Sequence, residues 1–205
     1  MRKIGIIDYG QGNINSVSKA LKKLDADYIV SNNLGELNLC SHLILPGVGA
    51  FPTAMKKLDK LDLSNFLREC ASTKPILGIC LGAQLLFESS TELGITKGLG
   101  IIKGKVRSFD SRQVDKVMNV GWRKVIQSDS SREGYFTNNI RDKEFYFVHK
   151  YYIHCDDKNA ISYMSTNSTF EFVSAVEKSR IIACQFHPEK SRTQGLEVIL
   201  KFMNI

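Results

Sequence analysis

The 205-residue sequence predicts an α/β fold, with a mixed and largely parallel central sheet flanked by helices and an antiparallel C-terminal portion. In the first half, short apolar runs alternate with segments whose apolar residues recur at helical spacing, as in a parallel sheet covered by helices. After about Gly98, β-branched and aromatic runs follow one another between polar turns, which is typical of antiparallel strands. The length suits one buried core, so we expect residues 1–205 to form a single domain.

The first half is divided into elements by its apolar runs and its helical spacing. Strands are predicted at residues 3–8, 28–30, 42–45 and 75–79. Helices are predicted over the segment containing Val17, Ala20, Leu21 and Leu24, and at residues 53–58, 64–70 and 83–88. Active sites of α/β sheets tend to lie in the loops that follow such strands, so these loops are the first places to look for chemistry.

The second half is predicted to be mostly strands, closed by one helix. The strand-like runs lie at residues 101–109, 122–127, 145–155, 161–166, 170–177 and 181–186. Leu196, Ile199, Leu200 and Met203 recur at helical spacing, so residues 193–203 are predicted to form a helix that packs on the sheet.

Composition excludes several classes of protein. The net charge of +7 comes from short basic pairs interleaved with acidic residues, which indicates a solvated surface and no nucleic-acid partner. No apolar stretch approaches the roughly 20 residues of a membrane span, and no signal peptide is apparent. The five cysteines lack CxxC spacing, so neither a disulfide framework nor a metal site is indicated. We expect a cytoplasmic protein without membrane association, metal or cofactor.

The strongest chemical signal is Cys80 in Gly78-Ile79-Cys80-Leu81-Gly82, which follows a predicted strand. Glycines two residues on either side of a nucleophile allow the sharp strand-to-helix turn that lifts its side chain above a sheet. The N–H of Leu81 would then be available to an oxyanion. A buried structural cysteine, with glycines needed only for tight packing, is an equal alternative for this pentapeptide taken alone.

A second signal is the sequence Gln185-Phe186-His187-Pro188-Glu189. Pro188 favours an extended conformation at His187, so the side chains of His187 and Glu189 can project on the same side. A histidine base oriented by a carboxylate is what a cysteine nucleophile requires. The alternative is an exposed turn histidine followed by a surface glutamate.

A third signal is Leu45-Pro46-Gly47-Val48-Gly49, directly after another predicted strand. The glycines at 47 and 49 allow backbone N–H groups to turn toward a developing negative charge, as in an oxyanion hole. A glycine-rich turn that merely precedes a helix is an equal alternative.

Together these segments resemble class I glutamine amidotransferases and, more closely, the glutaminase subunits of imidazole glycerol phosphate synthases. The resemblance covers essentially the whole chain. It is carried by IGIIDYGQGNINSV, ILPGVGAF, LGICLGAQLLFESS, KGLGIIKGKV, GWRKV, YFVHKYY and QFHPEKS.

The resemblance implies an activity and a set of site residues. Cys80 would attack the side-chain amide of glutamine, His187 would transfer protons and Glu189 would orient His187, releasing glutamate and ammonia. Gly49 and Leu81 would supply the oxyanion N–H groups. The residues implied to bind glutamine are Gln84, Gly47, His149, Lys150 and Tyr151.

The resemblance also implies a partner. Ammonia would pass through a protected channel to a (β/α)8-barrel synthase subunit in a heterodimer that acts in histidine biosynthesis. Asn13, Asn15, Trp122 and Tyr146 fall where the family places interface and gating contacts. As alternatives, the two asparagines could be helix caps and the two aromatic residues could belong to the core.

The sequence departs from the family pattern at several positions. The family commonly has Pro-His-Met-Gly-Trp where this chain reads Met118-Asn119-Val120-Gly121-Trp122, and a small hydroxyl residue where Lys150 stands. These departures leave Cys80, His187 and Glu189 unchanged. They fall near the expected glutamine pocket and the side that would face the partner. A paralogous glutaminase that supplies ammonia for amidation of a sugar, in surface-polysaccharide or glycan biosynthesis, is therefore an alternative function. A redox-sensing or binding module and a peptide or ester hydrolase are further alternatives.

Overall fold

The computed structural model describes residues 2–112, 114, 116–127 and 134–205. Its strands are β1 Lys3–Ile7, β2 Asp27–Ser31, β3 His42–Leu45, β4 Ile76–Ile79, β5 Phe87–Ser90, β6 Thr96–Lys97, β7 Ile102–Ser108, β8 Asn119–Lys124, β9 Ile126–Gln127, β10 Glu144–His149, β11 Tyr151–Cys155, β12 Ile161–Asn167, β13 Phe170–Lys178 and β14 Ile181–Cys184. Its α-helices are α1 Ile14–Lys23, α2 Leu34–Asn38, α3 Phe51–Lys60, α4 Leu63–Cys70, α5 Leu81–Leu85, α6 Thr137–Ile140 and α7 Arg192–Met203, and a 3₁₀ helix spans Pro188–Lys190.

One large mixed sheet runs through the molecule. Its main strand order is β2-β1-β3-β4-β14-β13-β11-β7-β5-β6, with β12 paired to β13 and β9 paired to β12. The strands from β2 to β14 along this order are parallel, whereas β13 pairs antiparallel with β14, β11 and β12. The predicted α/β fold class, with a parallel part and an antiparallel C-terminal part, is confirmed.

Helices cover both faces of the parallel part, because its strands carry apolar side chains on both sides. One face packs against α1 and α7 through a core that includes Ile6, Val17, Leu21, Val198 and Phe202. The other face packs against α3 and α4 through a core that includes Ile7, Phe51, Leu58, Leu63 and Leu67. Full burial of each such side chain contributes about 1.5–3 kcal/mol, so the two helical layers hold the strand ends in fixed positions.

A second, two-stranded sheet lies beside the large one and helps to shape the site. Strands β8 and β10 pair antiparallel, with Asn119 opposite His149 and Trp122 opposite Tyr146. Along β10, Phe145, Phe147 and His149 are buried, while Tyr146 and Val148 are partly exposed. This alternation gives the small sheet one buried face and one face toward solvent.

Two predicted elements are wrong, and a third, the strand predicted at 122–127, is divided at Val125 into β8, which pairs with β10, and β9, which pairs with β12. The helix predicted at 83–88 ends at Leu85, and the following residues form β5, which pairs with β7 through Phe87 and Ile102. The strand predicted at 145–155 is interrupted at Lys150, because β10 pairs with β8 whereas β11 pairs with β7 and β13. In each case pairing with a distant strand decides the outcome over local propensity.

Two short helices, α2 and α6, were not predicted from the sequence. Helix α2 has a local signal in Asn33, whose Oδ1 accepts a hydrogen bond from the N–H of Glu36 at 3.0 Å. This is the usual pattern of an N-cap residue, although a five-residue helix leaves little apolar periodicity to detect.

Replacing Gly82 by Ala is expected to destabilise the protein by about 3 kcal/mol, because a Cβ there would lie 1.8 Å from the carbonyl oxygen of Leu45. The backbone of β3 would have to move away from α5 to relieve this overlap. Urea unfolding measures the change. As the matched control, Gly35→Ala in α2 meets only the flexible Asn33 side chain and is expected to leave stability unchanged or slightly higher. Equal stabilities of the two variants would contradict the prediction.

Candidate active site

Cys80 lies at the sharp turn between β4 and α5. Its backbone angles are φ 54° and ψ −109°, a strained conformation for a residue with a side chain. The flanking glycines are required by close contacts. A Cβ at Gly78 would lie 2.8 Å from Cα of Ala83, and one at Gly82 would overlap the carbonyl group of Leu45. The turn therefore has the geometry of a nucleophile elbow, with the cysteine side chain at its tip.

His187 and Glu189 form a buried pair at the carboxyl end of β14. Nδ1 of His187 lies 2.8 Å from Oε1 of Glu189, and both side chains are 1% exposed. His187 is extended, with φ −100° and ψ 93°, and precedes the 3₁₀ helix that carries Glu189. The structure thus brings these two residues into contact, with Nε2 of His187 left without a hydrogen-bond partner among the described residues.

Electrostatic interactions hold a proton on His187. Burial alone would lower its pKa, but the neighbouring Cys80 side chain and then the Glu189 carboxylate outweigh burial and raise the pKa to about 10. Cys80 and His187 line the same pocket, although no hydrogen bond within ordinary limits joins them. Such contacts are often long in a site without substrate and shorten when substrate binds.

The segment after β3 forms the opposite wall. Gly49 has φ +106°, a conformation that favours glycine, and it lines the pocket together with Leu81. The hydroxyl group of Tyr9 donates a hydrogen bond of 2.9 Å to the carbonyl oxygen of Pro46, which anchors this segment from behind. Gly47, which the resemblance placed among the glutamine-binding residues, does not line the pocket but packs against the backbone N–H of Gly82.

The pocket above Cys80 has a volume of about 330 Å³, which lies within the range of small-molecule sites. It is lined by Val48, Gly49, Cys80, Leu81, Gln84, Glu92, Met118, Val148, His149, Lys150, Tyr151 and His187. Among these described lining residues, Glu92 is the only carboxylate and Lys150 the only lysine or arginine. Together with the protonated ring of His187, the pocket therefore presents two cationic groups and one anionic group to a ligand.

Gln84 is buried and its carboxamide is held in one orientation. Its Nε2 donates to the carbonyl oxygen of Tyr151 at 2.9 Å and to Oε1 of Gln185 at 3.0 Å. Nε2 of Gln185 lies 3.9 Å from Sγ of Cys80. Since both Nε2 hydrogens of Gln84 are used, its remaining polar atom, Oε1, is an acceptor.

The four residues predicted to contact a partner lie outside the pocket lining. Asn13 precedes α1 but makes no capping hydrogen bond with its side chain, and Asn15 is exposed within the helix. Trp122 and Tyr146 are partly exposed, with ring centroids 6.0 Å apart. The structure thus gives no support to the alternatives of helix caps and core aromatic residues.

Three residues of the site were not singled out from the sequence: Tyr9, Glu92 and Gln185. Tyr9 and Gln185 are adjacent to motifs that the sequence makes conspicuous, since Gln185 lies two residues before His187. Glu92 had no comparable signal, because it follows β5, which was predicted as helix. Its Oε2 accepts a hydrogen bond from the N–H of Phe51 at 2.8 Å, which holds it at the pocket.

The described part of the chain contains neither a cluster of metal-binding side chains nor a membrane-spanning helix. No three His, Cys, Asp or Glu residues there are grouped so that they could hold a metal ion. None of the helices there is long and apolar enough to cross a membrane.

The sequence profile of the family described as "Glutamine amidotransferase class-I" matches residues 5–204. A curated relative from Vibrio vulnificus (strain YJ016), imidazole glycerol phosphate synthase subunit HisH 2, is 43% identical over 98% of this chain and 94% of its own length. A relative from Lactococcus lactis subsp. lactis (strain IL1403), imidazole glycerol phosphate synthase subunit HisH, is 40% identical over 99% of this chain and 98% of its own length.

Solved structures show the same fold at lower identity. A crystal structure described as that of a glutamine amidotransferase aligns with a TM-score of 0.75 and 18% identity, over 98% of this chain and 99% of that chain. The structure of PurLQS from Thermotoga maritima aligns with a TM-score of 0.71 and 18% identity, over 99% of this chain and 98% of that chain. At these identities the likeness concerns the fold alone.

Replacing Glu189 by Gln is expected to lower the pKa of His187, because the ring loses the charge that faces Nδ1. A pKa raised from 6.5 to about 10 stabilises the folded protein fully below pH 6.5, and this contribution is lost as the pH rises through about 10. The contribution of His187 to the free energy of unfolding changes by at most about 1.4 kcal/mol per pH unit. Urea unfolding at several pH values across this window should show a smaller loss of stability in Glu189→Gln.

Glu171→Gln serves as the control for this comparison, since Glu171 is an exposed carboxylate on β13. Its pH dependence should equal that of the unmodified protein. A Glu189→Gln profile that also equals the unmodified one would show that Glu189 does not stabilise the charged form of His187.

Proposed function

This chain belongs to the class I glutamine amidotransferases, and from that premise we propose that it is the glutaminase subunit of an imidazole glycerol phosphate synthase. It hydrolyses glutamine to glutamate and ammonia, and the ammonia is used in histidine biosynthesis. The proposal is carried by one observation, the strained Cys80 in the same pocket as the buried His187–Glu189 pair. The full-length similarity to curated subunits of that name supports the choice of pathway.

The proposed reaction begins with attack of Sγ of Cys80 on the side-chain carbonyl carbon of glutamine. His187 donates a proton to the departing nitrogen as the C–N bond breaks, so ammonia leaves and a γ-glutamyl thioester remains. Water then attacks the thioester and gives a proton to His187. As the C–S bond breaks, the sulfur leaves as the thiolate while His187 keeps this proton, so glutamate is released and both groups return to their starting state.

His187 is suited to the first proton transfer. With its pKa raised to about 10, the ring holds its proton at neutral pH, as protonation of the leaving nitrogen requires. Glu189 fixes the ring through Nδ1, which leaves Nε2 directed at the reacting atoms. We assign the oxyanion to the backbone N–H groups of Gly49 and Leu81, and each such donor contributes about 3 kcal/mol to catalysis in well-studied enzymes.

The pocket charges match those of free glutamine, whose α-amino group is cationic and whose α-carboxyl group is anionic. We assign the α-ammonium to the Glu92 carboxylate and the α-carboxylate to the Lys150 ammonium, since these are the opposite charges of the lining. Oε1 of Gln84 accepts a hydrogen bond from glutamine. Backbone groups of His149 and Tyr151 complete the binding site in this proposal.

The partner in this proposal is a barrel-shaped synthase subunit that forms a heterodimer with this chain over the pocket mouth. Two exposed apolar side chains line the pocket, Val48 at 42% and Met118 at 52% exposure, and Val120, 48% exposed, lies two residues after Met118. Exposed apolar surfaces rimmed by polar groups mark sites of protein association. We place Asn13, Asn15, Trp122 and Tyr146 at the interface or at the gate of an ammonia channel.

We further propose that residues 1–205 act as one glutaminase domain in the cytoplasm. One sheet connects the parallel and antiparallel parts, which supports a single unit. All five cysteines are free thiols, as expected in a reducing compartment.

The paralogous function, ammonia supply for amidation of a sugar, is kept as a second candidate because of where the departures from the family pattern lie. Met118 and Lys150 line the pocket, and Asn119 is buried against its wall beside His149. Both candidates use the same glutaminase chemistry and differ in the partner and the acceptor. A redox-sensing module has less support, since a sensor would not need the charged pair Glu92 and Lys150.

Replacing Cys80 by Ala is expected to abolish glutamine hydrolysis without unfolding the protein, because no other group in the pocket can form the thioester. Hydrolysis is measured as glutamate release in the presence of the synthase subunit. The same variant should fail to rescue a histidine auxotroph that lacks the glutaminase subunit, whereas the unmodified chain should rescue it. Cys70→Ala, a buried cysteine in α4, is the control and should behave like the unmodified chain.

Two outcomes would count against the proposal. Normal hydrolysis by Cys80→Ala would refute the glutaminase mechanism. Hydrolysis by the unmodified chain without rescue of the auxotroph would favour the paralogous function.

Replacing Lys150 by Met is expected to raise KM for glutamine about fivefold with little change in kcat, because an ion pair to the α-carboxylate acts equally in the ground and transition states. The preference for glutamine over its α-carboxamide, which lacks that negative charge, should fall by the same factor. Steady-state kinetics on both substrates measure it. Lys97→Met, on β6 and outside the pocket, is the control, and an unchanged preference in Lys150→Met would refute the assignment.

A further inference from the structure

A continuous row of buried polar groups connects the small sheet to the nucleophile. Nδ2 of Asn119 lies 2.9 Å from Nε2 of His149, its partner across β8 and β10. Nδ1 of His149 lies 2.8 Å from the carbonyl oxygen of Tyr151. That oxygen also accepts from Gln84, whose second partner Gln185 reaches Cys80. Asn119 is completely buried and His149 is nearly so, at 0% and 6% exposure.

The proton positions in this row follow from its acceptors. A carbonyl oxygen can only accept, so Nδ1 of His149 carries the proton that points at Tyr151. In a neutral ring Nε2 is then an acceptor, and Nδ2 of Asn119 is the donor that meets it. Burial lowers the pKa of His149 to about 3, with further lowering by His187 and Arg123, so the ring is neutral at physiological pH.

Among the described residues, only Asn119 and Tyr151 hydrogen-bond to the ring of His149. Its faces and edges contact the aromatic rings of Phe109, Phe147 and Phe172, at centroid distances of 5.6, 5.7 and 5.2 Å. Its tautomer is therefore set by its two hydrogen bonds, one on each nitrogen.

Asn119 is held for its donor group. Its Oδ1 is buried and has no hydrogen-bond partner among the described residues, which destabilises the folded protein. If Asn119 acted through its acceptor, Oδ1 would have a partner. The contact with His149 is made by Nδ2, so the donor is the group of Asn119 that is used.

We propose that Asn119 is a positioning residue for glutamine binding, which keeps His149 in the Nδ1–H tautomer and thereby fixes the Tyr151 carbonyl that orients the Gln84 carboxamide. This inference rests on the proposed glutaminase function and deepens it. Without the donor at 119, the ring can move its proton to Nε2. The Nδ1 lone pair would then face the Tyr151 oxygen, the carbonyl would turn away, and Gln84 would lose the contact that presents Oε1 to the substrate.

The first test is nitrogen NMR of the His149 ring in the complex with the synthase subunit. The unmodified protein should show a protonated Nδ1 and an unprotonated Nε2, and this measurement requires no variant. A protonated Nε2 would overturn the proposal at once. In Asn119→Leu, which removes the donor without adding a charge, the proton should move to Nε2, and a ring that keeps its proton on Nδ1 would overturn the proposal.

The second test is kinetic. Asn119→Leu should raise KM for glutamine about tenfold, with kcat changed less than twofold, because the Gln84 contact is made in ground and transition states alike. Asn167→Leu is the matched control, since Asn167 is also buried and also donates through Nδ2, but to the carbonyl oxygen of Lys116, which does not belong to the row. It should leave KM unchanged.

The outcomes separate this inference from the proposed function. Suppose that the unmodified complex hydrolyses glutamine, and that an Asn119 variant has a shifted His149 tautomer but an unchanged KM. This result would overturn the positioning role alone. An equal rise of KM in Asn167→Leu would show a general structural effect and would also overturn it. An unmodified complex that does not hydrolyse glutamine would refute the proposed function, while the tautomer measurement would still report on the row of contacts.

Discussion

The close approach of two backbone segments, at the carboxyl ends of β3 and β4, is the constraint on which the site depends. Gly82 lies against the Leu45 carbonyl group and Gly47 against the N–H of Gly82, at distances that leave no room for a Cβ. This contact sets the two segments that carry Leu81 and Gly49 side by side. Both strands lie in the interior of the parallel sheet. The packed helical layers on its two faces therefore hold the strand ends, and the close contact between them, in place.

Electrostatics then divide the two pocket histidines into different roles. His187 contacts a carboxylate and has a raised pKa, whereas His149 is surrounded by aromatic rings and has a lowered one. The same side chain is thus held charged in one position and neutral in the other by its immediate surroundings. Both rings line the pocket above Cys80, one charged and the other neutral.

Local sequence patterns predicted the parallel half of the fold well, because each of its strands is a short apolar run and each main helix has a clear apolar face. They also singled out Cys80, His187 and Glu189, since the residue types and spacings required for nucleophile and base are themselves local. Strand β5 and the break at Lys150 were missed because pairing with β7 and β8 depends on residues far along the chain. Glu92 and Asn119 were not assigned roles for the same reason, because their hydrogen-bond partners, Phe51 and His149, are distant in sequence.

Hydrogen bonds of the main chain attach strand β10 to the segment that carries His187. The N–H of His187 donates to the carbonyl oxygen of Tyr146 at 2.9 Å, and the hydroxyl of Ser191 bridges the Tyr146 N–H and the His187 carbonyl oxygen. Meanwhile the ring of Tyr146 lies on the partly exposed face beside Trp122. Because these bonds use only main-chain atoms of Tyr146, they tie the backbone of β10 to that of His187 independently of which side chain stands at position 146.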